Sequence, residues 1–158
     1  MTDFEALLRA LTQAEVEFIV IGGAAATAHG AVRLTLDLDI VYARSAANLE
    51  RLATAFGPLQ PYLRGAPPGL PFSWSAATLG HGLNFTLTTR SGDIDLLGEI
   101  AGGGRYESLV PHAVEMRLFG MPVRVLGLAK LIEVKRAAGR PKDFEAIAEL
   151  QSILDEQG

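Results

Sequence analysis

The chain has 158 residues, 49% of them hydrophobic and 20% charged, a composition typical of one globular domain. Its formal net charge of −4 disfavours a protein that coats polyanions, although it is compatible with a local basic patch. The absence of cysteine excludes disulfides, thiol nucleophiles and Cys-ligated metal centres, and three histidines are too few for a His-rich metal site.

The first half of the sequence alternates predicted helices and strands. Apolar residues at helical spacing predict an amphipathic helix over residues 4–11, with Asp3 as its N-cap. The β-branched run Phe18–Ile21 predicts a buried strand. The next predicted elements are a short helix over 24–28, a strand over 36–42, a helix over 48–56 and a proline-rich loop over 57–71.

The second half is predicted to contain strands and then two helices. The predicted elements are strands over 83–88 and 93–97, strands over 113–118 and 122–126, and helices over 128–138 and 142–154. Each pair of strands flanks a short turn and is therefore predicted to form a hairpin. The order of elements predicts an α/β (α+β) fold, a mixed β-sheet with flanking helices and a C-terminal helical pair.

The apolar residues are too dispersed to form a membrane span. The longest apolar run, around residues 18–28, contains two glycines and is far shorter than the roughly 20 residues that cross a bilayer. No basic segment followed by an apolar stretch opens the sequence, so no secretory signal is recognisable. We therefore expect a cytoplasmic protein with no membrane contact.

Gly22 and Gly23 lie at the predicted junction between the first strand and the short helix. Glycines there allow positive φ and a close approach by another group, and the helix start offers unpaired N–H groups to an anion such as phosphate. A tight turn that only permits close packing explains the same residues. The glycine pair alone therefore leaves both explanations open.

Asp37 and Asp39 alternate with leucine in the predicted strand over 36–42. Period-two alternation puts the two carboxylates on one face, roughly 6–7 Å apart. Mg²⁺ prefers oxygen ligands and typically uses one or two carboxylates together with substrate phosphates. Two exposed acids on a solvated edge strand are the alternative, but aspartate is scarce in strands and the neighbouring residues are apolar. The pattern therefore favours a metal site.

Asp93 and Asp95 repeat this alternation in a second predicted strand. Asp93 is compatible with a simple hairpin residue. Asp95 lies among Ile94, Leu96 and Leu97, where a free carboxylate is costly to bury. If this strand neighbours the strand over 36–42, Asp95 completes a three-carboxylate cluster. Such a cluster can hold two divalent ions for an in-line phosphoryl displacement.

A strand ending in Gly-Gly, a short helix and an Asp-x-Asp strand resemble the polymerase-beta-type nucleotidyltransferase superfamily. The fuller pattern Gly-Gly-x-Ala…His-Gly…Arg-x-Thr-x-Asp-x-Asp-Ile, which starts at Gly22, more closely resembles the small bacterial AbiEii-like nucleotidyltransferases of toxin–antitoxin and phage-defence systems. Residues 128–143, Leu-Ala-Lys-Leu-Ile-Glu-Val-Lys-Arg-Ala-Ala-Gly-Arg-Pro-Lys-Asp, resemble a C-terminal segment of those proteins. The similarity covers about residues 16–45, 92–100 and 124–150.

The resemblance implies a single nucleotidyltransferase-like domain over residues 1–158, with a core over about 16–126 and C-terminal helices over about 128–155. The implied activity moves a nucleoside monophosphate from an NTP to a hydroxyl of RNA, such as a tRNA 3′ end, or of a protein. Mg²⁺ or Mn²⁺ is the implied cofactor, and a cognate antitoxin or toxin protein is the implied partner. The small size and acidic balance keep open a catalytically weak or inactive nucleotide-binding, antitoxin-like module.

The resemblance also implies roles for individual residues. Asp37, Asp39 and Asp95 are the implied catalytic carboxylates and metal ligands, with Asp95 as base or metal ligand for the attacking hydroxyl. The implied nucleotide-binding residues are Gly22, Gly23, Arg33, Thr35 and Lys135. For Arg33, a contact with phosphate and an ion pair with a surface acid remain equal alternatives. The glycine doublet departs from the Gly-Ser of many superfamily members and lacks a hydroxyl that can contact phosphate.

Other notable residues have structural explanations. His29 is predicted to cap a helix end rather than to act as a base. Phe72 and Trp74 are predicted to pack under the long loop rather than to stack on a base. For the basic group Lys135, Arg136, Arg140 and Lys142, a solvated helix end and a phosphate contact remain alternatives.

Overall fold

The structure is a computed structural model that describes residues 2–32, 35–141 and 143–157. The helices are α1 (Phe4–Gln13), α2 (Gly22–Ala28), α3 (Ala46–Phe56), α4 (Ala76–His81), α5 (Tyr106–Leu109), α6 (Leu128–Ala138) and α7 (Asp143–Gln157). The strands are β1 (Phe18–Ile21), β2 (Leu38–Tyr42), β3 (Tyr62–Leu63), β4 (Asn84–Thr89), β5 (Gly92–Leu97), β6 (Glu99–Ile100), β7 (Gly104–Arg105), β8 (Ala113–Leu118) and β9 (Met121–Leu126). Short 3₁₀ turns cover Gly57–Leu59 and Val110–His112.

The centre of the domain is a mixed sheet with the strand order β3-β4-β5-β2-β1-β9-β8. β2 pairs in parallel with β5 and β1 pairs in parallel with β9, whereas the other neighbours are antiparallel. β6 and β7 form a separate two-stranded hairpin. This arrangement confirms the predicted mixed α/β fold, including the two hairpins β4–β5 and β8–β9.

One hydrophobic core joins the sheet to the helices. All four residues of β1 are buried, as the wholly apolar run Phe18–Ile21 predicted. α1 adds its apolar stripe of Leu7, Leu8 and Leu11, and its first turn is capped by Asp3, which accepts a hydrogen bond from the Ala6 N–H. Among the residues described, no helix is long and apolar enough to span a membrane.

The proline-rich segment over residues 57–71 contains more order than a loop. Tyr62 and Leu63 form β3, the edge strand that pairs with Thr88 and Leu87 of β4. A strand of two residues shows no period-two alternation in the sequence. β3 is therefore recognised only from its pairing with β4. α4 was also not predicted; Ser75 caps it by accepting a hydrogen bond from the Thr78 N–H.

Some predicted boundaries differ from the observed ones. β2 begins at Leu38 rather than at Leu36, because its pairing with β5 begins at Leu38, opposite Ile94. α3 begins at Ala46, where the Ser45 hydroxyl caps the helix by accepting a hydrogen bond from the Asn48 N–H. α7 runs over Asp143–Gln157, and Lys142, the predicted first residue of that helix, lies outside the described residues.

Asn48 connects α3 to the ends of two central strands. Its side chain is fully buried. The Asn48 Oδ1 atom accepts a hydrogen bond from the Glu17 N–H at 2.7 Å. Its Nδ2 group donates to the carbonyls of Ala43 at 2.7 Å and Glu17 at 3.1 Å. One amide side chain thus satisfies backbone groups before β1 and after β2.

We expect Asn48→Ala to lower the free energy of unfolding by roughly 2–4 kcal/mol, because buried backbone groups lose their partners. The measurement is chemical denaturation at constant pH. Thr54→Ala, an exposed position on the same helix, is the control and should change stability by less than about 0.5 kcal/mol. Equal effects of the two substitutions would show that the Asn48 hydrogen bonds do not support the fold.

Candidate active site

The register of the sheet brings carboxylates of two strands side by side. Asp39 of β2 lies opposite Asp95 of the parallel strand β5. Asp37 and Asp93 precede this pair by two residues and therefore lie on the same face. Carboxylate oxygens of Asp37, Asp39 and Asp95 all lie within 4.8 Å of one another. The sequence predicted this cluster on condition that the two strands were neighbours, and they are.

The backbone at Gly22 and Gly23, called the glycine turn below, packs directly against the carboxylate cluster of Asp37, Asp39 and Asp95. Gly22 has a φ of +65°, and a Cβ atom at this position would collide with Oδ2 of Asp39. A Cβ atom at Gly23 would lie 2.8 Å from Oγ1 of Thr35. The backbone at Gly22 and Gly23 therefore needs glycine for close approach, and the structure brings both residues together with Thr35 and Asp39.

Arg64 is a member of this site that sequence analysis did not identify. It follows β3, and its backbone N–H continues the pairing with β4 by donating to the Thr86 carbonyl at 3.0 Å. The guanidinium lies 3.0 Å from Asp95, 3.5 Å from Asp37 and 3.4 Å from Asp93. A lone arginine in a proline-rich segment carries no local signal, because its role depends on the edge pairing of β3.

Asp93 also belongs to the site. The sequence left it open as a simple hairpin residue, but its carboxylate faces Arg64 on the same side of the sheet as Asp95. Arg64 therefore lies within 3.5 Å of three carboxylates, and Asp39 lies beside them on β2. The negative charge of such a cluster attracts cations.

The surroundings of Asp39 strongly raise the pKa of its carboxyl group. The pKa of Asp39 is raised from 3.8 to about 7, chiefly by burial and also by the charge and hydrogen bond of Asp95 and the charge of Asp37. Arg64 acts in the opposite direction and lowers it. In the absence of a cation, Asp39 therefore holds a proton far more readily than an exposed aspartate does.

The donor set fits a hard divalent cation. The buried Oδ1 atom of Asp39 has no hydrogen-bond partner, and Oδ1 of Asp95 has only its 3.0 Å ion pair with Nη2 of Arg64. A buried oxygen without a donor is costly unless a cation or an ordered water satisfies it. Carboxylate oxygens are also the ligands that Mg²⁺ and Mn²⁺ prefer. Asp37, Asp39 and Asp95 would hold such an ion.

The basic residues near the C-terminus surround a buried acid. Asp143 is 4% exposed, and its carboxylate accepts a hydrogen bond from Arg140 Nε at 2.9 Å. The Lys135 Nζ atom lies 3.9 Å from the same carboxylate. These contacts join the end of α6 to the start of α7. Nucleotide binding by Lys135 stays a prediction, and Arg33 lies outside the described residues.

His29 and Trp74 make structural contacts. His29 occupies the C-cap position of α2, as predicted, whereas its imidazole Nε2 atom lies 2.8 Å from the carbonyl of Leu126 at the end of β9. Trp74 packs on Phe56 with ring centroids 6.2 Å apart, and its indole N–H donates to the Ala53 carbonyl. None of these contacts involves Asp37, Asp39 or Asp95.

Comparison with known proteins identifies the fold. No family model and no curated protein matches the sequence. ANT(2″)-Ia in complex with adenylyl-2″-tobramycin has a similar structure, with a TM-score of 0.57 and 15% identity over 98% of this chain and 87% of that chain. A solution structure of the same antibiotic-resistance factor gives 0.57 and 16%, over 98% and 82%.

A proposed nucleotidyltransferase from Thermotoga maritima is similar over a larger share of its own length. Its TM-score is 0.57 at 17% identity, over 99% of this chain and 96% of that chain. At these identities the similarity shows the fold alone. It gives no information on membership of the AbiEii-like subfamily. The chain therefore has the nucleotidyltransferase fold.

We expect Gly22→Ala to destabilise the protein by at least about 2 kcal/mol more than Gly120→Ala. Both glycines have left-handed backbone conformations, with φ of +65° and +78°, but nothing lies within 4 Å of a Cβ atom at Gly120. The control therefore has a similar backbone strain and lacks the collision with Asp39. Denaturation curves of the two variants measure the difference, and equal losses would show that Asp39 does not need the space.

We expect Asp39→Asn to stabilise the metal-free protein more at pH 8 than at pH 5. A carboxyl whose folded pKa is about 7 rather than 3.8 costs stability progressively as the pH rises between those values. The amide has no such cost, so its advantage in Tm should grow by several degrees over this range. Melting curves in chelator measure the effect, with the exposed Asp155→Asn as control. A pH-independent difference would contradict the assigned pKa shift.

Proposed function

We propose that the chain is a metal-dependent nucleotidyltransferase that moves a nucleoside monophosphate from an NTP to an acceptor hydroxyl. The observation that carries the proposal is the convergence of Asp37, Asp39 and Asp95 beside the glycine turn. The nucleotidyltransferase fold of the chain supports the same reaction class. In this proposal residues 1–158 act as one catalytic domain.

The proposed reaction exchanges a phosphoanhydride bond of the NTP for a phosphoester bond to the acceptor. The acceptor oxygen bonds to the α-phosphorus, the bond between that phosphorus and the α–β bridging oxygen breaks, and pyrophosphate leaves. The proton of the acceptor hydroxyl passes to the carboxylate of Asp95. A bound Mg²⁺ or Mn²⁺ ion would supply electrostatic stabilisation of the charge that develops on the phosphate oxygens.

The position of each residue in the site determines its proposed role in the reaction. Gly22 and Gly23 leave room for a phosphate group to approach the backbone, and Thr35 borders the same turn. Asp37, Asp39 and Asp95 would hold the cation, and Asp95 lies on the far side of Asp39 from the glycine turn. The nucleotide and the acceptor would therefore approach from opposite sides of Asp39. Arg33 and Lys135 complete the proposed nucleotide contacts.

The acceptor we propose is a hydroxyl of RNA, such as a tRNA 3′ end, or of a protein, in a toxin–antitoxin or defence system. The AbiEii-like sequence pattern supports this choice, and a cognate antitoxin or toxin is the corresponding protein partner. The adenylyl-tobramycin in the ANT(2″)-Ia complex is a nucleotidyl group joined to an acceptor. A small hydroxyl compound is therefore a further acceptor class for the assay.

We expect the wild-type protein to transfer label from an α-³²P-labelled NTP to an acceptor in the presence of Mg²⁺. Asp39→Asn should reduce the rate by at least about 100-fold, because a metal ligand is lost while the shape of the side chain is kept. The assay should include all four NTPs with total RNA, the protein itself and small hydroxyl compounds as acceptors.

The matched control is Asp155→Asn, which removes the same charge from an exposed position on α7. It should retain the wild-type rate. Equal rates for Asp39→Asn and wild type would contradict the mechanism. Binding of NTP without transfer to any acceptor would instead favour the nucleotide-binding regulatory module.

A further inference from the structure

Arg64 already occupies the acidic face of the sheet as a cation. Its guanidinium approaches Asp95 through Nη2, Asp37 through Nη1 and Asp93 through Nε, at 3.0, 3.5 and 3.4 Å. Two of these three acids are also carboxylates of the candidate metal cluster. A divalent ion and Arg64 would therefore draw on the same negative charge.

The contacts of Arg64 with the acids are charge interactions rather than well-formed hydrogen bonds. Its Nη2 group donates a hydrogen bond of 2.7 Å to the Leu87 carbonyl. The buried Nε atom has no hydrogen-bond partner, and neither has Oδ1 of Asp95. A paired, two-bond fork to one carboxylate is the strong form of this interaction, and it is not formed with these acids. The guanidinium is therefore attracted by the acids without being locked to any of them.

The position of Arg64 allows it to shift. It lies beside the edge of the sheet, after a two-residue strand, and its side chain is 26% exposed. Asp93 and the Leu87 carbonyl would still hold the guanidinium if Asp37 and Asp95 were withdrawn from it. A small movement toward Asp93 would thus release two carboxylates without expelling the arginine into solvent.

We propose that Arg64 is a resident counter-cation that a divalent metal ion displaces from Asp37 and Asp95, so that Arg64 lowers the metal affinity of the site. Mg²⁺ requires carboxylate oxygens at about 2.0–2.1 Å, and a guanidinium 3.0–3.5 Å from the same carboxylates repels the incoming charge. This inference rests on the metal site of the proposed function and adds the residue that regulates its occupancy.

The exchange has a reciprocal consequence for stability. Without metal, Arg64 offsets part of the repulsion among the four aspartates. With metal bound, the ion takes over that task, and the contribution of Arg64 to stability becomes smaller. By linkage, the factor by which Arg64 weakens metal binding equals the factor by which bound metal weakens the stabilising effect of Arg64.

Titration of the full chain with Mn²⁺ and with Mg²⁺ tests the exchange directly. We expect Arg64→Gln to bind each ion roughly tenfold more tightly than wild type, a coupling of ordinary size. Isothermal calorimetry gives the Kd, and Mn²⁺ paramagnetic resonance gives the free ion without reference to activity. Arg64→Lys keeps the charge but loses the forked shape, so its Kd should lie between the two.

Arg90→Gln is the matched control, because Arg90 is an exposed arginine in the nearby β4–β5 turn. It removes the same charge and should change the Kd by less than about twofold. In chelator, Arg64→Gln should have a lower Tm than wild type. Saturating Mg²⁺ should reduce or abolish that difference, because the metal stabilises the variant more strongly.

Unchanged or weaker metal binding by a folded Arg64→Gln variant would overturn the exchange, even if wild type binds metal and transfers nucleotides. In that case the proposed function would stand without this inference. Metal binding by the variant but not by wild type would support the exchange in its strongest form. Failure of both proteins to bind either ion would overturn the metal site itself and the exchange with it.

Discussion

Mutual repulsion among aspartates on one face of the sheet is the constraint around which the rest of this site is arranged. Asp37, Asp39 and Asp95 bring oxygens within 4.8 Å of one another, and partial burial weakens the screening that water would provide. Such an arrangement costs stability unless protons or cations offset the charge. The raised pKa of Asp39 and the approach of Arg64 are two responses of the protein to that cost. A bound divalent ion would be the third.

The scaffold can carry this cost because the surrounding strands are buried and well paired. β1 is entirely apolar, and Asn48 joins the segments before β1 and after β2 through side-chain hydrogen bonds. The parallel pairing of β2 with β5 leaves Asp39 and Asp95 no freedom to separate along the sheet. A cluster of like charges with a shifted pKa on a well-paired sheet is typical of catalytic centres.

Much of the site could be predicted because the signals were local. Alternating aspartates in apolar strands and a glycine pair after a buried strand each reflect period-two geometry or glycine conformation. Arg64 could not be predicted in this way. Its part in the site requires that β3, with no alternation of its own, pairs at the sheet edge and leaves the next side chain beside Asp95. The role of Asp93 was left open for a similar reason, because the sequence does not show that its carboxylate lies beside Arg64.

The sequence by itself determined most of the longer strands and helices, the position of the glycine turn and which aspartates share a strand face, because these depend on residues a few positions apart. Only the tertiary structure decided that β2 lies beside β5 and that Arg64 neutralises their acids, because strand order and edge pairing depend on distant contacts. The net charge of −4 illustrates the same division. Composition reports an acidic chain, whereas the fold places three of its acids within 3.5 Å of Arg64.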